Sequence, residues 1–153
     1  MVDGAAAVDC VFADGVIAEW QGDADIHPDY FTATSAPRVG SPEDIAVVGL
    51  SGLGGGGLEI GNVALPGEVS VIGFPSKVDP MVEHKGEAWS GGDYLAHAAH
   101  THKGHSGAPI LQNGQVVGLH VADITAIAMW RPGLSINTPS RSNAGIRFNS
   151  TQI

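Results

Sequence analysis

A chain of 153 residues, 43% apolar and 15% charged, has the composition of one globular domain or of two small lobes sharing an interface. Its net charge of −9 is a poor match for nucleic-acid phosphates, and no apolar run approaches the ~20 residues that span a bilayer. Neither a nucleic acid nor a membrane is therefore expected as a partner.

The apolar segments are short, rich in β-branched residues, and separated by Gly, Pro, Asn or Asp. In chain order they predict strands at 7–12 (AVDCVF), 16–20 (VIAEW), 45–50 (IAVVGL), 69–74 (VSVIGF), 108–112 (APILQ), 115–121 (QVVGLHV) and 144–148 (AGIRF). Asp14-Gly15 is a hairpin signal between the first two. Asn113-Gly114 is a clearer one, because both residues tolerate the positive φ angles of a two-residue turn. No window carries a long 3.6-residue apolar period, and DYLAHAAH at 93–100 predicts at most a short helix. Many short strands at fairly regular spacing predict an all-β barrel or sandwich. Cys10 is the only cysteine, so no intrachain disulfide forms, and the first ten residues lack the basic flank of a secretory leader.

Two stretches carry the chemistry to be weighed. SGLGGGGLEIGN at 51–62 looks like a phosphate-cradling loop, but no Lys-Ser/Thr follows and no helix opens after it, so a flexible connector is expected. HTHKGHSGAPI at 100–110 places Ser106 between glycines, ahead of a proline and an apolar strand. Acyl transfer needs an activated hydroxyl and preorganised N–H donors, and a glycine two residues before the serine lets the backbone turn to provide them. His97, His100, His102 and His105 crowd the same stretch. His100 and His102 could share one strand face, yet the spacing follows no common zinc pattern. A polar loop in front of Ser106 is the plainer reading, with no metal and no organic cofactor. His84 and His97 match no motif and are expected at the surface.

Taken together, these motifs resemble the trypsin-like (chymotrypsin-fold) serine peptidases, in particular the glutamyl endopeptidases and the compact polyprotein proteases of positive-strand RNA viruses. GHSGAPI is similar to the nucleophile motif Gly-x-Ser-Gly-x-Pro, and SPEDIAVVGL at 41–50 to the segment carrying the triad aspartate. VIGFP at 71–75 resembles the Gly-aromatic-Pro turn, and IHPDY at 26–30 the segment leading to the aspartate. QVVGLHVAD at 115–123 is similar to the strand beside the specificity pocket, and SNAGIRF at 142–148 to its closing strand. The order along the chain is the family's. The resemblance implies Ser106 as nucleophile, Asp44 as orienting carboxylate, and the N–H groups of Gly104 and Ser106 as oxyanion hole. It also implies that His120 and Thr101, with Val121 and Ala122, hold a substrate glutamate, for which an imidazole and a hydroxyl are suitable donors. The implied architecture is an all-β double β-barrel. Residues 1–52 would form a truncated N-terminal barrel, 53–63 the connector, and 64–153 a complete C-terminal barrel.

One element of the pattern is missing. A serine triad needs an imidazole to take the hydroxyl proton. The segment similar to the family's Thr-Ala-Ala-His-Cys is AAVDCVF, which puts Asp9 at the histidine's position. A carboxylate with a pKa of ~4 is a weak base towards serine, and it would face Asp44. His27 lies in a segment similar to a non-catalytic part of the family. Asp123 stands where the family more often carries glycine. Two functions follow: a serine endopeptidase that cuts peptide or protein substrates after glutamate, impaired by the missing histidine, or a protease-like module that binds peptides without cutting. The lone cysteine is compatible with the cytoplasm or with a viral polyprotein.

Overall fold

The computed structural model describes residues 7–11, 17–21, 25–26, 44–50, 56–76, 78–130 and 142–148. Two antiparallel pairs come first. β1 (Ala7–Val11) pairs with β2 (Ile17–Gln21), with Val11 opposite Ile17, and β3 (Asp25–Ile26) pairs with β4 (Ala46–Val47). The Asp14-Gly15 turn expected between β1 and β2 lies outside the described residues.

The rest of the strands close on themselves. β5 (Gly67–Gly73), β6 (Val82–Gly91), β7 (Tyr94–His97), β8 (Pro109–Gln112), β9 (Gln115–Asp123) and β10 (Asn143–Arg147) form a closed barrel in the order β10-β7-β6-β5-β8-β9. Every pairing in it is antiparallel. The expected all-β class is thus present, with one closed six-stranded barrel. Asn113 (φ 52°) and Gly114 (φ 79°) make the β8–β9 turn in the left-handed region, which asparagine and glycine enter most readily.

Two strands and one helix differ from the expectation. Val82–Gly91 is a ten-residue strand whose sequence, VEHKGEAWSG, buries only Ala88 and Gly91, so it lacks the apolar alternation of the other walls. Tyr94–His97 is a strand rather than a helix, with all four residues buried. It is short and covered on both faces, and such a strand cannot be told from a helix by periodicity. The helix α1 (Ile124–Trp130) begins where the Asp123 carboxylate accepts the N–H of Ala126 at 2.8 Å, an N-cap bond. Its Ile127 packs with Tyr94 and Ala144.

Inside the barrel, Val69, Val71, Ala88, Leu95, Ile110 and Val117 form one core. The second half of the glycine-rich stretch is fastened to this wall. Val116 N–H donates to Glu59 O at 2.8 Å and Gly61 N–H to Val116 O at 2.9 Å. Gln112 then clasps Ala64 with its amide, accepting from N–H at 2.7 Å and donating to C=O at 3.0 Å.

Ile110 is fully buried, its partner on the neighbouring strand is Val71, and that pairing closes the barrel. Ile110→Ala is expected to lower the unfolding free energy by ~2–5 kcal/mol, the range for emptying a fully packed aliphatic site. Equilibrium urea denaturation checks this, and a loss below ~1 kcal/mol would mean the barrel interior is not packed as described.

Candidate active site

The segment after β7 folds back across the barrel mouth. Residues Lys103–His105 make a 3₁₀ turn, with the N–H of His105 donating to His102 O at 2.9 Å. Gly104 is needed here for close approach, because a Cβ would run into the backbone carbonyls of Phe74 and Pro75. Gly107 supplies the positive φ, at 84°. The chain then locks onto β9: Gly107 N–H donates to His120 O and His120 N–H to Ala108 O, each at 2.8 Å.

This locking brings five of the residues singled out in the sequence around one pocket of about 450 Å³. Thr101, Ser106, His120, Val121 and Ala122 line it, together with His102, Lys103, Asp123 and Asn143. Ser106 is exposed and its Oγ donates to the carbonyl of Val121 at 3.1 Å. No nitrogen base is bonded to that hydroxyl among the described residues. Asp44 is half-buried just before β4, and is not among the described residues lining the pocket. Asp9 lies in β1, opposite Glu19 on β2. His27 lies outside the described residues. Asp123, the departure from the family pattern, has a local cause, since its carboxylate caps α1.

The floor of the pocket holds an interaction that the sequence reading missed. His97, expected at the surface, is fully buried, and its Nε2 lies 3.2 Å from Nδ1 of His120. Burial, then the nearby His120, pushes the pKa of His97 down to about 3. Burial first, then His105, pushes His120 down to about 4, while the Asp123 carboxylate opposes the shift. Both rings are therefore neutral at pH 7. The Nδ1 of His97 is buried without a partner. Leaving a lone pair there costs less than leaving an N–H, so His97 donates from Nε2 to His120 Nδ1. His120 then carries its proton on Nε2, available to the pocket it lines. The signal that could have found His97 is its place as the one polar residue within the apolar run YLAHAA.

His84, also expected at the surface, is half-buried and faces His100, His102 and His105. His105 is fully buried, and its pKa is lowered chiefly by that burial.

No protein-family model matches the chain. No curated protein matches it. Among solved structures, the chain is similar to the crystal structure of Rv3671c from M. tuberculosis H37Rv, a serine-to-alanine mutant in an inactive form. The TM-score is 0.49 and the identity 15%, over 93% of this chain and 71% of that one.

The buried histidine pair makes stability depend on pH. In the unfolded chain both imidazoles take up protons near pH 6.5; in the folded chain they resist until about pH 3 to 4. Below pH 6.5 the unfolded state binds more protons, so stability falls with acidification, by up to ~2.7 kcal/mol per pH unit from the two groups. Urea midpoints for wild type and His97→Asn test this. A shallower acid slope in the variant is expected, and equal slopes would show that the pair is not buried and neutral.

Proposed function

We propose that this chain is a serine endopeptidase-like domain whose pocket takes a glutamate side chain before the scissile bond, and whose hydrolysis is impaired. The observation that carries this reading is the gathering of Thr101, Ser106 and His120 around one pocket on adjoining backbone segments. An extended peptide lying along β9 would set its side chain against the hydroxyl of Thr101 and the Nε2–H of His120. Lys103 borders the same pocket and adds a positive charge.

In the chemistry this implies, Ser106 Oγ attacks the carbonyl carbon and its proton passes to a base. The developing oxyanion is met by the N–H groups of Gly104 and Ser106. Two features slow that sequence. The Oγ–H is committed to the carbonyl of Val121, and the resemblance puts Asp9 where an imidazole should stand. Such a site retains substrate binding and part of its electrostatic stabilisation while losing most of its turnover. A peptide-binding module that does not cut is the second reading, favoured by the hydroxyl's bond to a carbonyl.

A neutral His120 donates a hydrogen bond but brings no full charge, which leaves the exposed Lys103 alone to favour glutamate, so glutamate and glutamine side chains are expected to bind within about tenfold of each other at neutral pH. Fluorescence titration with matched peptides measures this, and a preference for Glu above about a hundredfold would mean His120 is charged in the complex. Reactivity is read separately, by intact mass after incubation with a fluorophosphonate, beside Ser106→Ala. A slow, Ser106-dependent adduct, accelerated in Asp9→His, is expected. Folded protein that gains no mass in either form would leave the non-cutting module as the function.

A further inference from the structure

Four imidazoles gather beside the turn that carries Ser106, and the pocket chemistry uses none of them. His84 comes from β6, His100 from the segment after β7, and His102 and His105 from the 3₁₀ turn. Ring centroids are 5.4 Å apart for His84 and His100, 4.6 Å for His100 and His102, and 6.3 Å for His84 and His102. His105 lies 6.1 Å from His84 and 5.8 Å from His102. Gly86 makes the meeting possible. A Cβ there would collide with the backbone of Ala98 and Ala99, so its absence lets that segment pass close to β6 and sets His100 beside His84.

We propose that His84, His100 and His102 bind a divalent transition-metal ion of the zinc type, with His105 next to its open coordination position. Around zinc, with Zn–N distances of ~2.0–2.1 Å, tetrahedral imidazoles place their ring centroids about 5 Å apart. The three observed separations bracket that value. As the rings stand, no three donor atoms converge on one point. His100 and His102 are exposed and His84 is half-buried, so their side-chain torsions are open to adjustment, and binding requires them to bring the three nitrogens together.

His105 is the second, independent observation. Its Nδ1 accepts the N–H of His102 at 3.0 Å, so the ring proton sits on Nε2. That Nε2–H is fully buried and has no partner, a costly state for a donor. The His105 ring meets that of His84 edge to face. A water on the metal supplies the oxygen acceptor that the buried N–H lacks, as outer-shell partners of metal sites do. Because His105 spends its Nδ1 lone pair on the backbone, it serves as a positioning residue and not as a ligand. Three neutral nitrogen donors select zinc, copper, nickel or cobalt over calcium or magnesium, which prefer oxygen. The ion would tie β6 to the turn that carries Ser106, and it does so whether or not Ser106 reacts.

Titration calorimetry of the whole chain with Zn²⁺ is the test, beside His84→Ala and His100→Ala. One equivalent is expected, with affinity reduced about tenfold or more in each variant. The metal-free variants should melt close to wild type, since neither ring is buried. Co²⁺-loaded wild type is expected to have the intense visible absorption of a four-coordinate ion. Absence of Zn²⁺ uptake would overturn the proposal. So would affinities unchanged in both variants, which would place the ion elsewhere, or the weak bands of six-coordinate Co²⁺.

Discussion

The pocket depends on a pair of backbone hydrogen bonds between the Ser106 turn and β9. Gly107 N–H reaches His120 O and His120 N–H reaches Ala108 O, both at 2.8 Å. These two bonds set Gly107 and Ala108 together opposite His120, the two-against-one arrangement of a β-bulge, and fix register as well as distance. They set Ser106 beside Val121 and leave the ring of His120 turned into the barrel against His97. They also force a left-handed residue at position 107, which is why glycine stands there. A one-residue slip would exchange His120 for Leu119 or Val121 at the pocket floor and remove the buried His97–His120 pair.

That pair shows how burial decides chemistry in this barrel. An imidazolium among Tyr94, Leu95 and Ala96 would lack the solvation that makes a charge affordable, and a second imidazole 3.2 Å away makes protonation worse. Neutrality turns the two rings into a directional relay, in which one lone pair is left idle so that one N–H can face the pocket. Asp123 is the sole carboxylate lining the pocket among the described residues. Its Oδ1 is engaged by the first turn of α1, so much of its negative charge is directed at a helix N-terminus and away from the pocket.

What could be read from the sequence follows from how each element is covered. Strands with one buried face announce themselves, as Val69 and Val71 do in β5 or Val117 in β9. β6 carries Glu83, Lys85 and Glu87 on a face that meets solvent, while the half-buried positions between them hold His84 and Gly86, the glycine set against Ala98 and Ala99. β7 is the opposite case, buried on both faces, so its side chains carry no alternation at all. The Gly-rich turn around Ser106 and the strand over 115–123 were legible because they are contiguous stretches of sequence. The contacts between His97 and His120, and between His84 and His100, were not, because they depend on which strands the closing barrel makes neighbours. Asp44 and Asp9 were legible only as family positions, and neither is among the described residues at the pocket.

His102 links the two histidine groups. Its side chain borders the Ser106 pocket, and it also belongs to the four-imidazole cluster. Its backbone N–H holds His105, and its carbonyl holds the amide that starts the 3₁₀ turn. Any movement of that turn therefore shifts His102 in both places at once, at the pocket and in the histidine cluster, with no need for a longer path across the barrel.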